Sequence, residues 1–398
     1  MNTLDHRRAK AKISLIAPNG TPLANEAVTV RQTKHKFLFG TSEFAVVPFS
    51  NGELEGNELE IVKARFDKYL DLFNAMTLPF YWGRFEPECG KPDTLRLKTA
   101  AKWLADRDIT VKGHPLCWHT STAPWLMELS NKEILRVQLE RIGRDVTEFS
   151  GLIDMWDVIN EVVIMPVFDK YDNGITRICK EYGQVELVKK VFAEARQSNP
   201  KATLLLNDFE TSEEYAELIE RVLDAGITVD VIGIQSHMHQ GYWGLEKTYR
   251  VLERFSRFNL PLHFTENTIV SGHIMPKYIV DLNDYKVDSW PTTPDGEQRQ
   301  AEEAALHYRT LFEHPLVESI TWWGFSDSQW LGAPTGFITK HGRIKPIYDE
   351  VHKLIKGAWW SGEQALQTDV NGMLEVSGFK GSYTAECKGM KMNFELKG

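Results

Sequence analysis

Eight short runs rich in β-branched, aliphatic and aromatic residues recur along the chain, and between them apolar positions return every three or four residues. The runs fall near Phe37–Ser42, Met76–Tyr81, Thr110–Cys117, Met155–Glu161, Thr203–Phe209, Val231–His237, Leu260–Glu266 and Ser319–Asp327. The segments between them, among them Glu133–Phe149, Gln184–Gln197, Ser212–Ala225 and Glu297–Glu313, have the spacing of helices that bury one face. Strand and helix in alternation predict parallel β/α units, and eight such units predict a closed (β/α)8 TIM barrel, an α/β fold.

The two ends carry a different pattern. Residues Lys12–Gln32 alternate around an Asn19-Gly20 turn, and Asp369–Leu396 alternate around Asn371-Gly372 and Lys388-Gly389. Neither segment makes a stable sheet alone, so the two are expected to pair into one small β-sandwich-like module built from both termini. The expected organisation is an N-terminal β segment over 1–36, the barrel over 37–356 and a C-terminal β segment over 357–398. A cap on the barrel is the expected role of the module, with sugar binding as the alternative.

Length agrees with that division, because 398 residues exceed the roughly 250 of a single barrel. A formal net charge of -9, with no basic patch, argues against nucleic acid or an anionic membrane as partner and leaves neutral substrates. No run approaches the roughly 20 apolar residues of a membrane span. The basic stretch Met1–Lys10 is followed by no apolar segment of signal-peptide length, so with Met1 as the start a cytoplasmic location is expected. Cys89, Cys117, Cys179 and Cys387 are scattered, with no C-x-x-C pair, which suggests reduced thiols. No cofactor is called for. Twelve Trp offer aromatic faces suited to sugars, although core packing accounts for most of them.

Two glutamates stand just past hydrophobic runs, Glu161 in Met155-Trp156-Asp157-Val158-Ile159-Asn160-Glu161 and Glu266 in Pro261-Leu262-His263-Phe264-Thr265-Glu266. Each would project from the carboxyl end of a strand, where β/α barrels place their chemistry. A pair of carboxylates in one sugar-sized cleft is the equipment of glycoside hydrolysis.

Six motifs extend this reading: Gly113-His114-Pro115-Leu116-Cys117-Trp118-His119, Trp156-Asp157-Val158-Ile159-Asn160-Glu161, Leu206-Asn207-Asp208-Phe209, Gly233-Ile234-Gln235-Ser236-His237, Thr265-Glu266 and Trp323-Gly324-Phe325-Ser326-Asp327. In order and spacing the chain resembles the family 10 glycoside hydrolases, of the endo-β-1,4-xylanase type, from about Phe37 to Tyr348. The resemblance implies a retaining double displacement with Glu161 as acid/base and Glu266 as nucleophile. It further implies that Asn160 bonds the hydroxyl next to the anomeric carbon and that His237 orients Glu266. His114 and Trp118, Gln235, Trp323 and Trp330 would line the same pocket. His119, Asn207 and Asp208 are equally well read as hydrogen-bonded barrel residues.

Two departures from the family pattern bear on substrate. The stretch after the second strand lacks the family's Glu-Asn pair and Lys and offers Phe80, Tyr81, Trp82 and Arg84 instead, a surface that stacks or blocks. After the nucleophile, where the family commonly has Glu-Leu-Asp, this chain has Glu266-Asn267-Thr268, and Thr268 replaces the lost aspartate only in part. Cleavage of β-1,4-xylosidic bonds in short xylo-oligosaccharides or xylan is the expected activity, the departures favouring the short substrates, and exo-type release from small plant β-glycosides with an aromatic aglycone is the alternative. The competing readings are a metal site built from His114, His119, His237 and His239, and a catalytically inactive carbohydrate-binding barrel.

Overall fold

The computed structural model describes residues 4–397. Fourteen strands follow in chain order: β1 (Arg8–Ser14), β2 (Ala27–His35), β3 (Leu38–Ser42), β4 (Ala75–Pro79), β5 (Thr110–His114), β6 (Met155–Asn160), β7 (Thr203–Asp208), β8 (Val231–Met238), β9 (Leu262–Ile269), β10 (Val317–Trp323), β11 (Gln364–Gln367), β12 (Met373–Phe379), β13 (Gly381–Cys387) and β14 (Met390–Leu396). Strands β3 to β10 pair in parallel, each with the next, and β10 closes on β3. This is the (β/α)8 barrel anticipated from the alternation of patterns.

Helices cover the outside of the barrel and show why the periodicity was legible. The helix Asn131–Glu148 begins at Ser130, whose side chain and that of Glu133 satisfy each other's backbone N–H groups, and it buries Ile134, Leu135, Ile142 and Val146. Pro294–Glu313 opens three residues before the expected start, because Pro294 suits the first helical position and Thr293 caps it. Barrel strands are buried along nearly their whole length, and their polar residues gather at the carboxyl ends. Strand β9 runs three residues past Glu266 because β8 is long enough to pair with it through His237↔Thr268 and Met238↔Ile269.

The remaining strands form two sheets from both ends of the chain. Strand β1 pairs antiparallel with β12, and β11-β2-β13-β14 make a four-stranded sheet. Val28, Val30, Leu374, Val376, Tyr383 and Ala385 are buried between them. The tight β13–β14 hairpin turns through Lys388 and Gly389, at φ of 50° and 80°, as its sequence predicts. Arg7 ties this layer to the barrel: its guanidinium donates to the carbonyls of Phe312, His314 and Val317 at 2.6–2.8 Å and lies over Phe37 and Phe312. Among the described residues no helix is long and apolar enough to cross a membrane.

Candidate active site

The carboxyl ends of β5 to β10 converge on one mouth of the barrel. Glu161 follows β6 directly and holds a left-handed backbone, φ 59°, which costs a residue with a side chain on the order of 1–3 kcal/mol. Its N–H donates to the Asn207 carbonyl at 2.8 Å, which fixes the turn. Trp118 Nε1 donates to its Oε2 at 2.7 Å, and Gln235 Nε2 to its Oε1 at 3.2 Å. Burial first, and then the charge of Glu266, push the Glu161 carboxyl up to about 8 against the pull of these two donors.

Glu266 lies in β9 and is buried. Asn207 Nδ2 donates to its Oε1 at 3.1 Å, and His237 Nε2 stands 3.2 Å from its Oε2. His114 Nε2 is 3.9 Å from Oε1. Beneath it, Asp157 joins Lys112 Nζ at 2.6 Å and His114 Nδ1 at 2.7 Å. Burial raises Glu266, while the nearby His114 and Lys112 oppose the rise, and its carboxyl is held at about 6. Two neighbouring carboxyls thus titrate apart, the lower one suited to be a charge and the upper one to keep a proton.

Asn207 matters more than its sequence context suggested. Besides Glu266 its Nδ2 reaches Asn160 Oδ1 at 2.7 Å, and its Oδ1 accepts from Thr265 Oγ1 at 2.6 Å. Gln235 Nε2 also reaches Asn160 Oδ1, at 3.2 Å. Gly233 makes this hub sterically feasible, since a Cβ there would stand 2.3 Å from Asn207 Oδ1. Asp208 turns away, accepting the N–H groups of Val163 and Glu210 at 3.0 Å, while its burial raises it to about 7. His119 is buried against Phe168, ring centroids 4.5 Å apart.

Aromatic rings wall the pocket. Trp323 packs on His114 at 5.1 Å and on Phe44 at 6.0 Å, and Trp330 stacks on His237 at 4.1 Å. Tyr81 fits between Phe44, His114 and Trp118, with centroids 5.7–5.9 Å away. Burial, then the charges of Glu266 and Glu161, hold its phenol protonated. The other aromatics of that stretch correct the expectation: Phe80 packs on Phe85, Phe149 and Trp156 in the core, and Trp82 donates to Glu86 at 3.1 Å beside Trp125. Phe80 follows the end of β4 and Trp82 opens the short helix Trp82–Phe85, and in that turn both side chains are buried in the shell of the barrel. Arg84 is exposed on the short helix Trp82–Phe85, close enough to act on the Tyr81 phenol.

On the far side of Glu161, the loop after β6 carries Phe168 and Tyr171, which dock towards the loop after β5 and lie near the Glu161 charge. Between them Lys170 pairs with Asp281 at 2.5 Å and Asp284 at 2.8 Å, both in the loop after β9. The pairing joins these two loops although β7 and β8 stand between their strands in the barrel.

His114, His237 and His239 turn nitrogen atoms to Asp157, Glu266 and Thr268 respectively. Among the described residues no three His, Cys, Asp or Glu side chains are grouped to hold a metal ion.

A sequence model described as glycosyl hydrolase family 10 matches residues 39–353. The chain is similar to endo-1,4-beta-xylanase B of Thermotoga neapolitana, 26% identical over 303 residues that cover 71% of this chain and 79% of that protein. It is also similar to the anti-sigma-I factor RsgI6 of Acetivibrio thermocellus, 23% identical over 401 residues, covering 98% of this chain and 46% of the other. Among solved structures, native xylanase 10B from Thermotoga maritima superposes with a TM-score of 0.65 at 22% identity, covering 81% of this chain and 96% of that one.

Proposed function

This chain belongs to glycosyl hydrolase family 10, and from that premise we propose that it is a retaining β-glycosidase that cleaves β-1,4-xylosidic bonds in short xylo-oligosaccharides. The observation that carries the reading is the convergence of the two carboxyls at the strand ends of one barrel mouth, Glu161 held by Trp118 and Gln235 and Glu266 by Asn207 and His237, with burial and the Glu266 charge favouring the proton on Glu161. In the first step Glu161 delivers its proton to the leaving-group oxygen as the glycosidic C–O bond breaks. A carboxylate oxygen of Glu266 bonds the anomeric carbon on the opposite face. That bond removes the charge which held the Glu161 proton, so Glu161 leaves as an anion fit to act as base. Water then attacks the anomeric carbon, Glu161 accepts its proton, and the ester to Glu266 breaks. Asn160, braced by Asn207 and Gln235, is placed beside this centre to bond the neighbouring sugar hydroxyl, a contact that assists catalysis if it strengthens in the transition state.

The preference for short substrates is supported from two sides. Tyr81 packs beside His114, and Lys170 ties the loop after β6 to the loop after β9; on this reading both narrow the cleft around the carboxyls. The same two features favour a second reading, exo-type release from small β-glycosides with an aromatic aglycone lying on Phe168 and Tyr171. A purely binding barrel is disfavoured, because both carboxyls are present with distinct acidities. Timed product analysis on xylohexaose, with Glu266→Gln as control, separates the readings. Early mid-length fragments support internal cleavage, and xylose or xylobiose from one end supports exo action. No cleavage, with aryl β-glycosides also untouched, rules the proposal out.

A further inference from the structure

Strands β8 and β9 align two polar pairs on one side of their ladder, His237 opposite Thr268 and Gln235 opposite Glu266. His239 follows just past the end of β8 on the same alternate spacing. Thr268 Oγ1 stands 3.4 Å from His237 Nδ1 and 3.2 Å from His239 Nδ1, so one hydroxyl serves two imidazoles. Both rings are packed against Trp330, at 4.1 and 5.0 Å, and His239 also against Trp290. The groups facing His237 are therefore Glu266 and Thr268 from β9, His239 just beyond its own strand, and the indoles of Trp323 and Trp330. Among the described residues it is the Thr268 hydroxyl, and no carboxylate, that meets the Nδ1 atoms of both rings.

Proton counting leaves one arrangement with few unmet groups. His239 is fully buried and its Nε2 has no partner among the described residues. A buried N–H without an acceptor costs more than a bare lone pair, so the proton of His239 belongs on Nδ1, donated to Thr268. The single hydroxyl proton of Thr268 is then free to point only at His237 Nδ1. That nitrogen becomes an acceptor, and the ring proton is placed on Nε2, facing Glu266.

We propose that His239 and Thr268 are positioning residues for the nucleophile: the directed chain His239 Nδ1–H to Thr268 O–H to His237 Nδ1, and His237 Nε2–H to Glu266, locks His237 as a neutral donor. The opposite tautomer would set a nitrogen lone pair against a carboxylate at 3.2 Å. In this chain a hydroxyl and a second histidine do by proton direction what an aspartate does by charge. This rests on the reading of Glu266 as nucleophile, but its test does not depend on activity.

The experiment is 15N NMR of histidine-labelled full-length protein, with His237 assigned by substitution, alongside kcat/KM on an aryl β-xyloside. We expect His237 as a single neutral tautomer protonated at Nε2 near pH 7, and a mixed or reversed tautomer in Thr268→Val. The same variant should lose roughly ten- to hundredfold in kcat/KM, the equivalent of one hydrogen bond to a charged group, with KM little changed. Thr268→Ser should restore both readouts. A wild-type His237 protonated at Nδ1 or cationic, or a Thr268→Val variant with unaltered tautomer, overturns the inference. If neither the aryl xyloside nor xylohexaose is cleaved while the tautomer is as expected, the functional reading fails and the hydrogen-bonded chain from His239 to Glu266 stands.

Discussion

A proton on Glu161 and a charge on Glu266 are needed together, and each has its own window. kcat/KM on a short xyloside should rise as pH passes about 6, where Glu266 ionises, and fall beyond about 8, where Glu161 loses its proton. Trp118→Phe removes a donor that stabilises the Glu161 anion, so the falling limb should move to higher pH while the rising limb stays. A limb that moves down would contradict the assignment of Glu161. At this scale the nearness of Glu161, Glu266, His237, Tyr81 and Trp330 was anticipated because the motifs that carry them end neighbouring strands or follow them. Asn207 was read as a hydrogen-bonded barrel residue, but its bond to Glu266 was not legible. The signal lay in Gly233, two residues before Gln235, whose missing side chain only acquires meaning once β7 and β8 are neighbours. Phe80 and Trp82 misled because aromatic content was read without fixing which way each residue of the turn would face.

Among elements, the strands and helices followed from periodicity, and their ends shifted by a few residues where pairing or capping decided. Loops were less legible: nothing in the apolar pattern places Lys170 against Asp281 and Asp284, more than a hundred residues on. Both partners are partly exposed, so Lys170→Ala should cost stability by no more than about 1 kcal/mol. The functional effect should be larger in selectivity than in rate. The ratio of xylohexaose to xylotriose cleavage is expected to rise in the variant, and to rise likewise in the wild type when salt screens the pair. An unchanged ratio would mean that the bridge does not restrict the cleft.

For the whole molecule, the site stands against stability. Glu161 has a folded-state value of about 8, above the ordinary 4.5, so the folded protein holds a proton that the unfolded chain releases. The stability this contributes is complete below about 4.5 and is lost as pH rises towards and through 8. Glu161→Gln, neutral throughout, should therefore match the wild type in Tm near pH 4.5 and exceed it by a margin that grows towards pH 8. A constant difference across that range would show that the carboxyl ionises freely in the folded state.

Arg31 in β2 and Glu363 just before β11 are 332 residues apart in the chain yet joined at 2.8 Å, and β1 likewise waits for β12. During synthesis the amino-terminal strands leave the ribosome long before any partner for them exists, whereas β3 to β10 appear in the order in which they pair. The barrel can assemble strand by strand as it emerges, and the layer beneath it is finished last. Until β11 and β13 arrive on either side of it, β2 presents open edges to its surroundings, which makes the interval before those pairings a time of exposure to aggregation.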